Sequence, residues 1–261
     1  LPGCADFEYK LSTASEQPFG RMKVRLKREI VTMGQPDVDP RAAVGHYVAP
    51  ADWNALISAP DVAVIDTRND YEVAIGTFDG AVDPLTKSFG EFPAWWAENK
   101  DRFHNKRIAM FCTGGIRCEK ASAWMLHKGF KNVFHLEGGI INYINQVREK
   151  GLENNFIGKN FVFDERLGER ITEDIISNCH ICGKACDEHV NCKNSSCHLL
   201  FIQCEECRNT LSGCCSQECH EIMQLPEQDQ KIARKGMDKG RNIFNKSKQR
   251  MEDLSQANKT T

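Results

Sequence analysis

Long apolar runs are missing from this chain. No stretch approaches the ~18 uncharged apolar residues that a membrane helix needs, and the N-terminal residues lack the basic-then-apolar order of a signal peptide. That excludes a helical membrane protein and points to a soluble, cytoplasmic one. Excess charge is missing too: a formal net charge of −2 over 261 residues excludes a uniformly basic nucleic-acid binder, so charge has to be read segment by segment. Cysteine is nearly absent from the first 178 residues, which hold only Cys4, Cys112 and Cys118, while ten more crowd between Cys179 and Cys219. A short extracellular disulfide scaffold is cysteine-dense throughout. One dense block behind a cysteine-poor segment points instead to metal binding in a reducing compartment.

What is present is enough apolar material, 41% of residues, for an ordinary buried core. The chain opens on Leu1 rather than Met, which leaves room for residues ahead of it. In Arg21-Met-Lys-Val-Arg-Leu-Lys27 the alternation puts Arg21, Lys23, Arg25 and Lys27 on one strand face and Met22, Val24 and Leu26 on the other. This predicts a half-buried strand whose cationic face is either a solvated surface or a contact for RNA phosphates. Gly34, Pro36, Pro40 and Gly45 then punctuate the chain as a linker does. From His46 to Val147 strand and helix patterns alternate, with apolar strand cores at 62–65, 108–111 and 133–136 and a helix over 119–128 that stops at Gly129. Strand, tight turn, helix and strand in that order predict a parallel α/β sheet. After Pro226 apolar residues thin out, and Lys231, Arg234, Lys235, Lys239, Arg241, Lys246, Lys248 and Arg250 make a basic tail, either a solvated helix or an RNA contact.

The chemistry concentrates in Met110-Phe-Cys112-Thr-Gly-Gly-Ile-Arg117-Cys-Glu-Lys-Ala: a cysteine at a strand end, two glycines, and a helix start. The glycines let Thr113, Gly114, Gly115, Ile116 and Cys118 turn backbone N–H groups toward one anion, and the helix N-terminus adds partial positive charge. A thiolate is such an anion. These donors and the Arg117 guanidinium depress the thiol pKa below its free value of ~8.5, making Cys112 a nucleophile, and the same cradle would hold the extra sulfur of a persulfide. Cysteine phosphatases place five residues between cysteine and arginine; here there are four, a tighter ring suited to sulfur rather than to a phosphoryl group. Asp66 and Arg68, at the end of an earlier strand, either support this loop or meet substrate, or the aspartate caps a helix. Cys118 is either a resolving thiol for Cys112 or a small packed residue. Trp95, Trp96 and Trp124 are core residues or base-stacking platforms.

In the rear block Cys179-His-Ile-Cys182 and Cys204-Glu-Glu-Cys207 are two Cys-x2-Cys knuckles 21 residues apart, the spacing of a tetrahedral zinc site. Cys192, Cys197, either Cys214 or Cys215, and Cys219 supply a second set in a cross-brace; an uninterleaved set of Cys179, Cys182, Cys192 and Cys197 stays open. Four protein ligands leave no open position, so both ions would be structural, and metal binding would supply much of the folding free energy of so small a module.

The stretch from Ile65-Asp66-Thr-Arg68-Asn-Asp-Tyr71-Glu72 through Cys112–Cys118 to Leu136-Glu-Gly-Gly139 resembles a rhodanese domain. With Pro18-Phe19, Arg25-Leu-Lys-Arg-Glu29-Ile-Val and the rear cysteines, the chain is similar to the bacterial tRNA uridine-34 hydroxylase family of rhodanese-like proteins. The resemblance implies a partial N-terminal ferredoxin-like region at 1–40, a rhodanese-like domain at 41–150, a Cys-rich zinc module at 151–225 and a basic tail at 226–261. It also implies an oxidoreductase of tRNA modification that uses molecular oxygen as co-substrate to form 5-hydroxyuridine at the wobble position. Cys112 would carry the persulfide, tRNA would be the partner, and a protein or small thiol would donate the sulfur. A general rhodanese sulfurtransferase and a non-catalytic zinc-dependent RNA or protein adaptor are the alternatives.

Overall fold

The computed structural model describes residues 14–19 and 24–234, and no helix among them is long and apolar enough to cross a membrane. In chain order the elements are β1 (His46–Val48), α1 (Pro50–Ile57), β2 (Val62–Asp66), α2 (Asp70–Val73), β3 (Gly76–Phe78), α3 (Phe92–Asn99), β4 (Arg107–Phe111), α4 (Ile116–His127), β5 (Val133–Leu136), α5 (Gly139–Lys150), β6 (Phe156–Asn160), β7 (Glu169–Arg170), β8 (His189–Asn191), β9 (Leu200–Ile202), α6 (Glu205–Thr210), α7 (Gln217–Gln224) and α8 (Glu227–Arg234). The chain forms two compact units. One comprises residues up to 69, 78–156 and 162–166; the other comprises 70–77, 157–161 and the residues from 167 on.

The first unit is built on a four-stranded sheet in the order β1-β5-β4-β2, parallel throughout, with Ile65 opposite Met110 and Met110 opposite His135. A parallel sheet is covered on both faces, which is why its strands read as apolar runs without polar alternation. Ala63, Ile65, Ile108, Met110 and Val133 face one core with Phe92, Trp96 and Trp124. Phe111 points the other way, its ring 6.3 Å from Trp53 and 4.8 Å from Phe78, and Phe78 in turn meets Tyr143 and Phe156. Helix α4 starts three residues before the predicted helix and ends at His127, with Gly129 beyond it at φ +90°.

The predicted strand at Arg21–Lys27 is corrected. Residues 21–23 lie outside the described residues; 24–27 are irregular, with Val24 82% and Leu26 103% exposed. An alternating pattern reports the capacity to form a strand, but a strand also needs a ladder partner, and none lies beside these residues among those described. The same finding removes any strand of a ferredoxin-like region from the described part of 1–40. The segment behind it is anchored: Met33 is 1% exposed in the core, and Lys120 donates to the carbonyls of Gln35 and Val38, both at 2.7 Å, and pairs with Glu29 at 3.1 Å.

The second unit centres on two clusters of cysteines with apolar residues. Period-2 alternation in and just before β9 divides them: Leu200 and Ile202 pack with Cys179, Cys186 and Cys207, while Leu199 and Phe201 pack with Cys192, Cys214, Cys215 and Cys219. β8 pairs antiparallel with β9, His189 opposite Ile202. β7 pairs antiparallel with β6, Lys159 opposite Arg170, and both side chains reach the buried Asp187 carboxylate, at 3.0 and 2.6 Å.

Candidate active site and cysteine clusters

β4 ends at Phe111, and Cys112 to Gly115 curl back before α4 starts at Ile116. Gly115 sits at φ +92°, a region in which a side chain is strained, and its amide donates to Cys112 Sγ at 3.1 Å. What turns the loop's N–H groups inward is visible on its outer side. The carbonyls of Cys112 and Thr113 accept from the amides of Ile140 and Ile141, the first turn of α5, at 3.0 and 3.1 Å. That docking demands glycine: a Cβ on Gly139 (φ +67°) would stand 2.5 Å from Cys112 O, 2.6 Å from Gly115 N and 2.7 Å from Thr113 O. The signature Leu136-Glu-Gly-Gly139 thus has a physical role that its sequence does not reveal: it forms the second wall of the loop.

Cys112 is 2% exposed. Burial is the largest single influence on its thiol and pushes the pKa up. It is outweighed by a hydrogen bond from Cys118, the Arg117 charge, and the backbone amides of Cys118 and Arg117, which together bring the pKa down to about 5. Cys118 is fully buried, and burial, then its hydrogen bond to Cys112, raise its pKa well above the ordinary thiol value. One sulfur is therefore a thiolate and the other keeps its proton and donates it. Thr67 Oγ1, 3.3 Å from Cys118 Sγ, also donates to Phe111 O at 3.0 Å, tying β2 to this pair. Cys118 thus stands beside Cys112 as a buried hydrogen-bond donor to that sulfur, a place that both readings of it, resolving thiol and packed residue, require.

Arg117, 9% exposed, donates to Thr113 Oγ1 at 3.3 Å, closing the loop on itself. Its guanidinium lies 5.9 Å from the ring centroid of Phe163, which is 57% exposed. Phe163 escaped the sequence reading because Phe156, Phe161 and Phe163 fall in one charged stretch after Gly151, and nothing local tells which of the three is left exposed. Asp66 and Arg68 form a closed bidentate pair, 2.9 and 2.6 Å, with neither side chain exposed, and Arg68 stacks over Phe111 and Phe156. Such a pair braces Phe111, the residue ahead of Cys112. Trp96 and Trp124 are buried core residues with no face open to a base, and Trp95 is half-buried against the same core. Arg25 and Lys27 are exposed, and Arg21 and Lys23 lie outside the described residues. Of the basic tail, Lys231 pairs with Glu227 at 2.8 Å within α8, and the residues from 235 on lie outside the described ones.

The rear cysteines gather into two groups of four: Cys179, Cys182, Cys204 and Cys207, and Cys192, Cys197, Cys215 and Cys219, with the ligand atoms of each group within 4.8 Å of one another. Cys215, not Cys214, completes the second group, and the uninterleaved set is not formed. The sulfur–sulfur distances are 3.6 Å for Cys182–Cys204 and 3.7 Å for both Cys197–Cys215 and Cys215–Cys219. A disulfide would need ~2.05 Å. A tetrahedron with zinc–sulfur bonds of ~2.3 Å has edges of about 3.8 Å, so the spacing fits four thiolates around one such ion. At Cys179 burial raises the pKa, but the amides of Cys204, Cys182 and Ile181 outweigh it and bring the thiol to about 7, ready to lose its proton to a metal.

A rhodanese-like domain model matches residues 49–146, and a rhodanase C-terminal model matches residues 157–220. Similar proteins named tRNA uridine(34) hydroxylase include one from Ruegeria pomeroyi, 60% identical over 184 residues that cover 70% of this chain and 60% of that protein. One from Photorhabdus laumondii is 49% identical over 89% of this chain and 66% of its own length, and one from Yersinia pestis is 48% identical over 92% and 69%. The chain thus spans less than two thirds of the first two of these relatives. Identity of about one half to the Yersinia pestis protein, over 92% of this chain and 69% of that one, places the chain in the tRNA uridine(34) hydroxylase family.

Proposed function

We propose that this chain carries out the reaction for which its relatives are named, hydroxylation of uridine-34 in tRNA, giving 5-hydroxyuridine with molecular oxygen as co-substrate. The observation that carries the reading is the Cys112 thiolate, held among the loop amides beside Arg117 at a strand end. There the chain's own residues bind and orient a reactive sulfur. Attack of the thiolate on a sulfane sulfur forms the Cys112 persulfide and releases the donor, a protein or small molecule, as its thiolate. The amides of Gly115, Arg117 and Cys118, with the Arg117 charge, would then stabilise the negative terminal sulfur. Cys118 keeps its proton and gives one hydrogen bond. Asp66 and Arg68 hold β2 and Phe111 so that the loop does not drift.

The two cysteine groups would hold two zinc ions in a structural role, since four thiolates per ion leave no position for substrate. The ring of Phe163, exposed beside Arg117, is suited to stack on a base brought to the loop.

The test is mass spectrometry of tRNA nucleosides from a strain lacking the gene, complemented with the wild-type or the Cys112→Ser chain. Restored 5-hydroxyuridine with wild type alone supports the reading. Thiosulfate turnover with no change in tRNA would favour a general sulfurtransferase, and equal rescue by Cys112→Ser would favour a non-catalytic adaptor.

A further inference from the structure

We propose that the cavity at the N-terminal ends of β4 and β5 is a second contact site for the RNA, one that binds backbone phosphates; the proposal rests on tRNA being the substrate. The cavity, about 610 Å³, lies in the first unit, and its wall includes Trp96, Lys100, Asp101, His104, Lys106 and Lys131. Three lysines face one carboxylate there. The ammonium groups of Lys100 and Lys131 have no partner among the described residues, and Lys106 donates to the carbonyl of Pro60 at 3.1 Å and shares the Asp61 carboxylate electrostatically with Arg107. A solvated surface often carries unpaired lysines, but it spreads them over convex ground. Here they converge on a concavity, where their mutual repulsion is relieved by an anion.

The topology sets the separation. β4 runs the five residues from Arg107 beside the cavity to Phe111 beside Cys112, so at ~3.3 Å per residue the two sites stand about 17 Å apart, at opposite ends of one strand. A stacked nucleic-acid strand carries one phosphate per ~3.4 Å, so an RNA with one base at the Cys112 loop has phosphates about five nucleotides away at the distance of the cavity. Phosphates are the repeated anions of that substrate, and the lysines would fix its register without reading its sequence.

The experiment uses the full chain and unmodified tRNA, with binding measured by fluorescence anisotropy from 50 to 300 mM KCl. The variant is Lys100→Gln/Lys106→Gln/Lys131→Gln, all exposed positions; the control is Lys150→Gln on α5, which packs on the other face of the sheet. Removing three phosphate contacts should weaken binding tenfold or more near 0.15 M salt and flatten the slope of log K against log salt by about 2. KM for tRNA should rise with kcat retained, while Lys150→Gln behaves as wild type. Charge reversal at one position, Lys131→Glu, should repeat the loss in a minimally altered chain. Unchanged affinity and slope in both cavity variants overturn the proposal, as does saturable binding of inorganic phosphate in the cavity without effect on tRNA. If wild type modifies tRNA and the triple variant matches it, the cavity proposal alone falls. A wild-type chain that neither binds nor modifies tRNA while Cys112 stays reactive takes down the functional reading first, and this proposal with it.

Discussion

Gly139→Ala tests whether the second wall of the loop sets the reactivity of the sulfur. The new methyl would meet backbone on three sides, 2.5 Å from Cys112 O, 2.6 Å from Gly115 N and 2.7 Å from Thr113 O, so no side-chain rotation relieves it. The residue would also be held at φ +67°, which costs an L-residue about 1–2 kcal/mol. The loop must therefore back away from α5, loosening the bonds from Ile140 and Ile141 that turn its amides inward. A hydrogen bond to a charged group contributes about 1.5–3 kcal/mol, and one pKa unit corresponds to ~1.4 kcal/mol, so losing one amide from the sulfur raises its pKa by about one to two units. The Cys112 pKa of about 5 should move toward 6–7. The assay is the pH dependence of iodoacetamide labelling of Cys112, read as the midpoint of the rate profile rather than its height, because a more basic thiolate is also intrinsically more nucleophilic. A folded Gly139→Ala chain whose midpoint stays at the wild-type position would refute the argument that α5 orients the cradle.

Cys118→Ala removes the S–H donor beside Cys112, so the same labelling midpoint should rise, and activity near pH 6 should fall more than at pH 8; an unmoved midpoint would reduce Cys118 to packing. Burial, partly opposed by a backbone contact at Gly45, lowers the His135 pKa from 6.5 to about 4. Between those values the unfolded chain binds a proton that the native one does not, so stability should fall with falling pH through that window, by about 2 kcal/mol at pH 5; His135→Leu should melt with a smaller shift between pH 7.5 and pH 5. Metal analysis should find about two zinc ions per chain, with Cys215→Ser losing one and Cys214→Ser none, and a strong chelator should abolish the folded far-ultraviolet signal of the cysteine-rich residues. Phe163→Ala should raise KM for tRNA several-fold and leave the Cys112 labelling midpoint in place, since the ring is exposed and lies against Arg117 rather than the sulfur.

What could be read from sequence was whatever local chemistry dictates. A cysteine, two glycines and an arginine at a strand end can make one kind of turn, and Gly115 at φ +92° makes it. Two Cys-x2-Cys knuckles likewise found each other, because their spacing leaves few ways to gather four sulfurs. The choice between Cys214 and Cys215 was not legible: adjacent residues project in different directions, and only the packed module decides which sulfur faces the others. The bracing role of Gly139 was hidden for a related reason, since nothing near it in sequence reveals that a carbonyl 27 positions earlier comes within 2.5 Å of its missing side chain. The strand expected at 21–27 failed because its pattern was local and its partner was not.

The length of the loop ties these threads together. With four residues between Cys112 and Arg117, the arginine falls in the first turn of α4, and Cys118 follows it inside that turn. The guanidinium reaches back to Thr113 and closes the ring, while the next residue, Cys118, gives its hydrogen bond to Cys112. One more residue would turn the arginine by about 100° around the helix and carry Cys118 away from Cys112. Inserting a glycine after Gly115 therefore tests size and electrostatics at once: the labelling midpoint should rise toward that of an ordinary thiol, because donor and charge leave together. If the midpoint stayed near 5 in a folded insertion variant, the helix terminus alone would account for the acidity, and the four-residue spacing would lose its meaning for sulfur chemistry.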